Sequence, residues 1–128
     1  MNSDLAPKIG DFGLAKDLGG EEDVHNKTVG TFHFLPPECC SPEVLNFRGK
    51  PVDVWGLGLT LYTMAYLQLP FWAEGVAPLF EVIQSFVLEF PNQSMSQEFE
   101  DLVIGMLVKD PARRLEMSDV LNHPWLTN

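Results

Sequence analysis

The chain has 128 residues, 45% of them apolar and 20% charged, which suits one globular domain and argues against wholesale disorder. Its formal net charge of −10 argues against nucleic-acid binding, since a phosphate backbone needs a basic face, and disfavours anionic membrane surfaces.

The apolar stretch from Val52 to Leu69 is broken by Asp53, Gly56, Gly58, Thr60, Thr63 and Gln68. A membrane span needs about 20 predominantly apolar residues, so a buried helix is expected there instead. No basic segment followed by an apolar core opens the chain, so no secretory signal is expected. Cys39 and Cys40 are adjacent and lack ligand spacing, which fits reduced thiols in a cytoplasmic, intracellular protein.

In chain order, Asp4 to Ile9 reads as a short β segment, with Pro7 keeping Ala6 out of the helical region. Lys16 to Thr31 is a polar, Gly-containing loop of a length usually reserved for function, and its acidic cluster Glu21, Glu22 and Asp23 reads as a solvated face. Pro36-Pro37-Glu38 opens a short helix, because proline suits the first turn and an acid suits the N-terminal dipole. The next helix, Pro51 to Leu67, is apolar on nearly every side, so a central position surrounded by other elements is expected. Gly56 and Gly58 lower its propensity and are expected to permit close backbone approach.

Val76, Leu79, Phe80, Ile83, Phe86 and Val87 follow the spacing of an amphipathic helix, as do Phe99, Leu102, Val103, Met106 and Leu107. Both stripes are read as core. Ser94 with Gln97 offers a capping box for the second of these helices, and Ser96 offers a direct cap. A last helix from Met117 to Asn122 is expected to end before Pro124. The fold class is mainly α, with a short β segment at the N-terminus.

The chemistry begins at Lys8 to Ala15, which delivers Asp11-Phe12-Gly13 into a loop. Alone, that tripeptide is compatible with a turn carrying a solvated aspartate. About twenty residues later comes Gly30-Thr31-Phe32-His33-Phe34-Leu35-Pro36-Pro37-Glu38, at the distance where kinases close the activation loop with Ala-Pro-Glu. Pro36 stands in place of the alanine. Asp53 to Gly58 is similar to the kinase pattern D-x-W-S-x-G, and Leu69-Pro70-Phe71 to the end of G-x-x-P-F, with Leu67 where glycine is commoner. Leu107 to Arg114 is similar to L-x-x-D-P-x-x-R, and His123-Pro124-Trp125 to the usual ending. The chain therefore resembles the protein kinase family, Ser/Thr type, over nearly its whole length. An unrelated helical bundle would require every match to be accidental.

The resemblance implies a kinase C-terminal lobe in part: residues 1–128 would be a partial catalytic domain running from Asp-Phe-Gly through the activation loop and its helices. It implies Asp11 as a ligand of the Mg²⁺ that bridges the ATP phosphates, with Phe12 packing beneath the site and Gly13 allowing the turn. Thr31, Pro37 and Glu38 belong to the substrate loop, and Thr31 points to Ser/Thr specificity. Glu38 would pair with buried Arg114, leaving Arg113 at the surface, and Asp53 would support the catalytic-loop backbone. The plain reading of Asp53 is an acid at a helix N-terminus, and both readings can hold. His25, His33 and His123 are read as loop or structural residues rather than ligands.

Within the family the chain resembles calcium/calmodulin-dependent protein kinase kinases. The residues concerned are Thr28 to Thr31, Lys50 to Trp55, Leu88 to Pro91 and Leu107 to Arg114. That likeness allows another kinase as protein substrate, and calmodulin as partner of a full-length protein. Lys27 stands where many loop-activated kinases carry their phosphoacceptor, with Thr28 beside it.

The 128 residues carry no Gly-rich phosphate loop, no Val-Ala-Ile-Lys lysine and no His-Arg-Asp loop. Alone, they are therefore expected to be inactive and to bind neither Mg²⁺ nor ATP tightly, because phosphoryl transfer depends on complete positioning. The central helix is also expected to lack the neighbour that precedes the catalytic loop, leaving apolar surface bare. A non-catalytic interaction module, binding through the helix at Val76 to Val87, is the alternative.

Overall fold

A computed structural model describes residues 6–20, 22–25, 31–91 and 95–128. It is built of helices: α1 (Pro37–Cys40), α2 (Gly49–Tyr66), α3 (Val76–Ser85), α4 (Gln97–Met106), α5 (Met117–Leu121) and α6 (Pro124–Thr127), preceded by 3-10 turns at Phe12–Leu14 and Phe32–Phe34. The expected β segment is corrected. Residues 6–10 lie outside any helix or strand, and the β pairing among the described residues is one isolated bridge between His25 and Phe47. A strand needs a partner ladder, and residues 6–9 pair with no described segment. Asp4 and Leu5 are outside the described residues, as are Glu21, Lys27, Thr28, Gly30 and Ser94.

Helix α2 is the axis of the core. Trp55, Leu59, Tyr62 and Tyr66 are buried against Leu79 and Ile83 of α3 and Phe99 and Val103 of α4. A second cluster joins Val54 to Leu102, Met106 and Val120. Each large side chain buried in this way contributes about 1.5–3 kcal/mol. The enclosure is one-sided, however: Leu57 is 38% exposed and Met64 72%. Gly58 lets α4 come close, since a Cβ there would lie 2.9 Å from Met106 Cβ and 3.0 Å from Leu107 Cδ2. Gly56 does not serve this purpose, because its Cβ would meet nothing within 4 Å. The helix ends on Leu67, whose φ of 57° is left-handed and whose amide donates to the Thr63 carbonyl at 2.8 Å. Glycine takes that conformation freely, whereas a leucine pays about 1–2 kcal/mol in Cβ crowding.

The later helices stand close to their expected places. Leu79 and Ile83 of α3 are buried, while Val76 and Val87, at the two ends of the expected apolar stripe, are exposed. The chain leaves α3 at Phe86, whose ring packs 4.9 Å from Phe71 and 6.2 Å from Trp55. Ser96 caps α4 directly, its Oγ accepting the Phe99 amide at 3.3 Å. Pro124 does not merely follow a helix end; it starts α6, where His123 Nδ1 accepts the Trp125 amide. Trp125 packs edge-on against Phe99, closing the core from the C-terminal side.

Candidate functional site

Pro36 has extended backbone and Pro37 begins α1, so Glu38 projects from its first turn. There it meets Arg114 in a two-pronged pair: Nη1 donates to Oε1 at 2.7 Å and Nη2 to Oε2 at 2.9 Å. The Arg114 side chain is fully buried and that of Glu38 8% exposed. The remaining donors of Arg114 go to backbone carbonyls: Nε to Val108, Nη1 to Pro51 and Nη2 to Lys109. Its guanidinium lies 5.1 Å from the centre of the Trp55 ring. One side chain thus ties α1, the first turn of α2 and the 107–114 turn together. Arg113 is exposed.

Asp11 lies on the surface before the first 3-10 turn, with left-handed φ and ψ of 61° and 63°. Phe12 is 67% exposed and Gly13 open to solvent. Thr31 precedes the second 3-10 turn, and its carbonyl accepts the Phe34 amide at 3.0 Å. Beside it His33 stacks on the exposed Trp72, with ring centres 5.1 Å apart, and Phe32 meets Phe80 edge-on. Asp53 lines a cavity of about 510 Å³ together with Arg48, Lys50, Pro111 and Leu115. Desolvation, and then the charge of Asp23, raise its carboxyl above the ordinary aspartate value, while His25 partly offsets them. The structure brings Glu38 and Arg114 together in a two-pronged pair.

Asp23 is not a solvated acid. Its Oδ1 accepts the Gly49 amide and its Oδ2 the Lys50 amide, each at 2.8 Å, and His25 Nε2 lies 3.0 Å from Oδ1. Desolvation pulls its carboxyl upward, yet the Lys50 and Gly49 amides and His25 together hold it below the ordinary aspartate value. Sequence reading missed this contact because it joins segments 26 residues apart; the glycine opening α2 was its only local sign. Burial, then Cys39 and Glu38, push the Cys40 thiol up to about 12, so it is an inert core residue.

The residues present do not by themselves fit Mg²⁺. Asp11 offers one exposed carboxylate, and among the described residues no group of three or more His, Cys, Asp or Glu side chains could hold a metal ion. Among the same residues no helix is long and apolar enough to cross a membrane.

The sequence that builds this helical lobe matches known proteins. The family model "Protein kinase domain" matches residues 1–126, and the chain belongs to that family. It is 33% identical to calcium/calmodulin-dependent protein kinase kinase cmkC of Emericella nidulans, over 99% of this chain and 24% of that protein. It is 34% identical to serine/threonine-protein kinase GRIK2 of Arabidopsis thaliana, over 93% of this chain and 29% of that protein. It is also 34% identical to the delta subunit of calcium/calmodulin-dependent protein kinase type II of Oryctolagus cuniculus, over 96% of this chain and 23% of that protein. The chain spans about a quarter of the length of these relatives.

Proposed function

We propose that this chain supplies the activation loop and lower helices of a Ser/Thr protein kinase domain, whose complete form transfers the γ-phosphate of ATP to protein hydroxyls. The reading is carried by the Glu38–Arg114 clamp, which fastens the Pro-Pro-Glu turn to the helical core. A substrate loop must be held rigidly if an accepting hydroxyl is to be oriented. In the complete enzyme Asp11 is the proposed Mg²⁺ ligand, Phe12 and Gly13 shape its turn, and Thr31 and Pro37 form the shelf for the substrate. Asp53, whose carboxyl is pushed up by desolvation and then by the charge of Asp23, is the proposed acceptor for catalytic-loop amides. A kinase is the proposed substrate and calmodulin the proposed regulator, on the strength of the relatives' names.

The 128 residues alone are proposed to be inactive, since they carry no His-Arg-Asp loop to orient the acceptor. Titration calorimetry of the chain with Mg-ATP is expected to give no binding heat at micromolar concentrations. Micromolar affinity would overturn the inactive reading. Coding sequence upstream of Met1 carrying the lysine and His-Arg-Asp motifs would support the kinase reading.

The second reading is a kinase-derived interaction module. It is favoured by the exposed Trp72 and Val87, which flank α3 and offer apolar surface to a partner. A stable transcript starting at Met1, with a partner recovered in pull-down and lost on Trp72→Ala, would favour it.

A further inference from the structure

We propose that Asp23 is a positioning residue: it caps the first turn of α2 from the middle of the preceding loop, and so latches the segment after Asp-Phe-Gly onto the central helix. Helix α2 has no cap of its own, because Arg48 makes no side-chain capping bond. The first amides of a helix need an acceptor, and an anionic one also suits the helix dipole. Asp23 provides both oxygens, one to each of the first two amides of the helix, from a side chain only 6% exposed.

A second set of contacts extends the latch beyond the cap. The His25 amide donates to the Phe47 carbonyl at 2.7 Å, and the Phe47 amide donates back at 2.8 Å. The two rings stack with centres 5.8 Å apart. Gly19 and Gly20, with φ of 54° and 90°, turn the chain in the stretch leading to Asp23. Gly49 is the matching half of the latch. A Cβ there would stand 2.9 Å from His25 Nε2 and 3.0 Å from Asp23 Oδ1, so an alanine would displace the two side chains that form the latch. The loop is thereby held by an internal carboxylate.

This inference goes beyond the kinase reading and stands whether or not the chain transfers phosphate. The test is amide hydrogen exchange on the full chain, comparing wild type with Asp23→Ala and Gly49→Ala. Wild type is expected to protect the amides of His25, Phe47, Gly49 and Lys50. Asp23→Ala is expected to speed exchange at all of these by about tenfold or more, while the amides of α4 keep their protection. His25 and Phe47 do not bond to Asp23 through their amides, so a mere helix cap would leave them unchanged.

Gly49→Ala keeps the carboxylate and favours the helix, so faster exchange at His25 and Phe47 in that variant reports displacement of the Asp23 and His25 side chains from the helix start. It also decides the matter if Asp23→Ala does not fold. Unprotected His25 and Phe47 amides in wild type, or protection unchanged in Gly49→Ala, would overturn the latch.

Discussion

Arg114 uses every N–H it has: two on the Glu38 carboxylate and three on the carbonyls of Pro51, Val108 and Lys109. A planar fork with five donors can do this, and an ammonium cannot. Removing either partner of such a buried pair strands the other charge, at about 3–5 kcal/mol. Arg114→Ala and Glu38→Ala are each expected to lower the unfolding free energy by that amount in urea titrations. Arg114→Lys should recover only a fraction, since it restores the charge without the geometry. A loss below about 1 kcal/mol in both alanine variants would mean that the clamp is not structural. Sequence alone marked Glu38 as an acid at a helix start; its buried partner, 76 residues away, was reached only through likeness to kinases. Asp23 had no such guide, and a run of three acids reads as solvent-facing until the two amides that claim it are seen.

Among the elements, α2 shows what periodicity conveys and where it stops. Apolar spacing marked α2, α3 and α4 to within a few residues, because a helix that buries a face must repeat that face every three to four positions. It could not say which side of α2 would find a neighbour, since that is decided by tertiary packing. Gly56 and Gly58 illustrate the point: two residues apart and equivalent in the sequence, only Gly58 lies against another helix. Gly58→Ala is expected to destabilise by about 1–3 kcal/mol through overpacking against Met106 and Leu107. Gly56→Ala has open space and is expected to stabilise by about 0.5–1 kcal/mol through helix propensity. Thermal unfolding of the two variants side by side tests this, and equal effects would refute the close approach of α4.

For the whole molecule, the unpartnered side of α2 matters most. Leu57 and Met64 stand on it, and Ile104 of α4 is 47% exposed as well. Apolar surface left open in this way favours association. The isolated chain is therefore expected to bind a hydrophobic dye and to self-associate as its concentration rises, measured by fluorescence and by sedimentation velocity. A sharp melt of a monomer with little dye signal would contradict that. The candidate site was legible as an ordered set of kinase motifs, yet among the described residues only Glu38 and Arg114 of that set are joined by hydrogen bonds, because that pair alone is fixed by packing within the helical core.

The reach of Arg114 also bears on how the polypeptide comes into being. Its bonds to Glu38 and Pro51 close spans of 76 and 63 residues, so the first half of the chain leaves the ribosome with its acid unmatched and its helix start untethered. This lobe cannot finish folding until the guanidinium of Arg114 has been made. A premature stop before residue 114 would release a product that keeps the Pro-Pro-Glu turn but loses the bolt holding it in place.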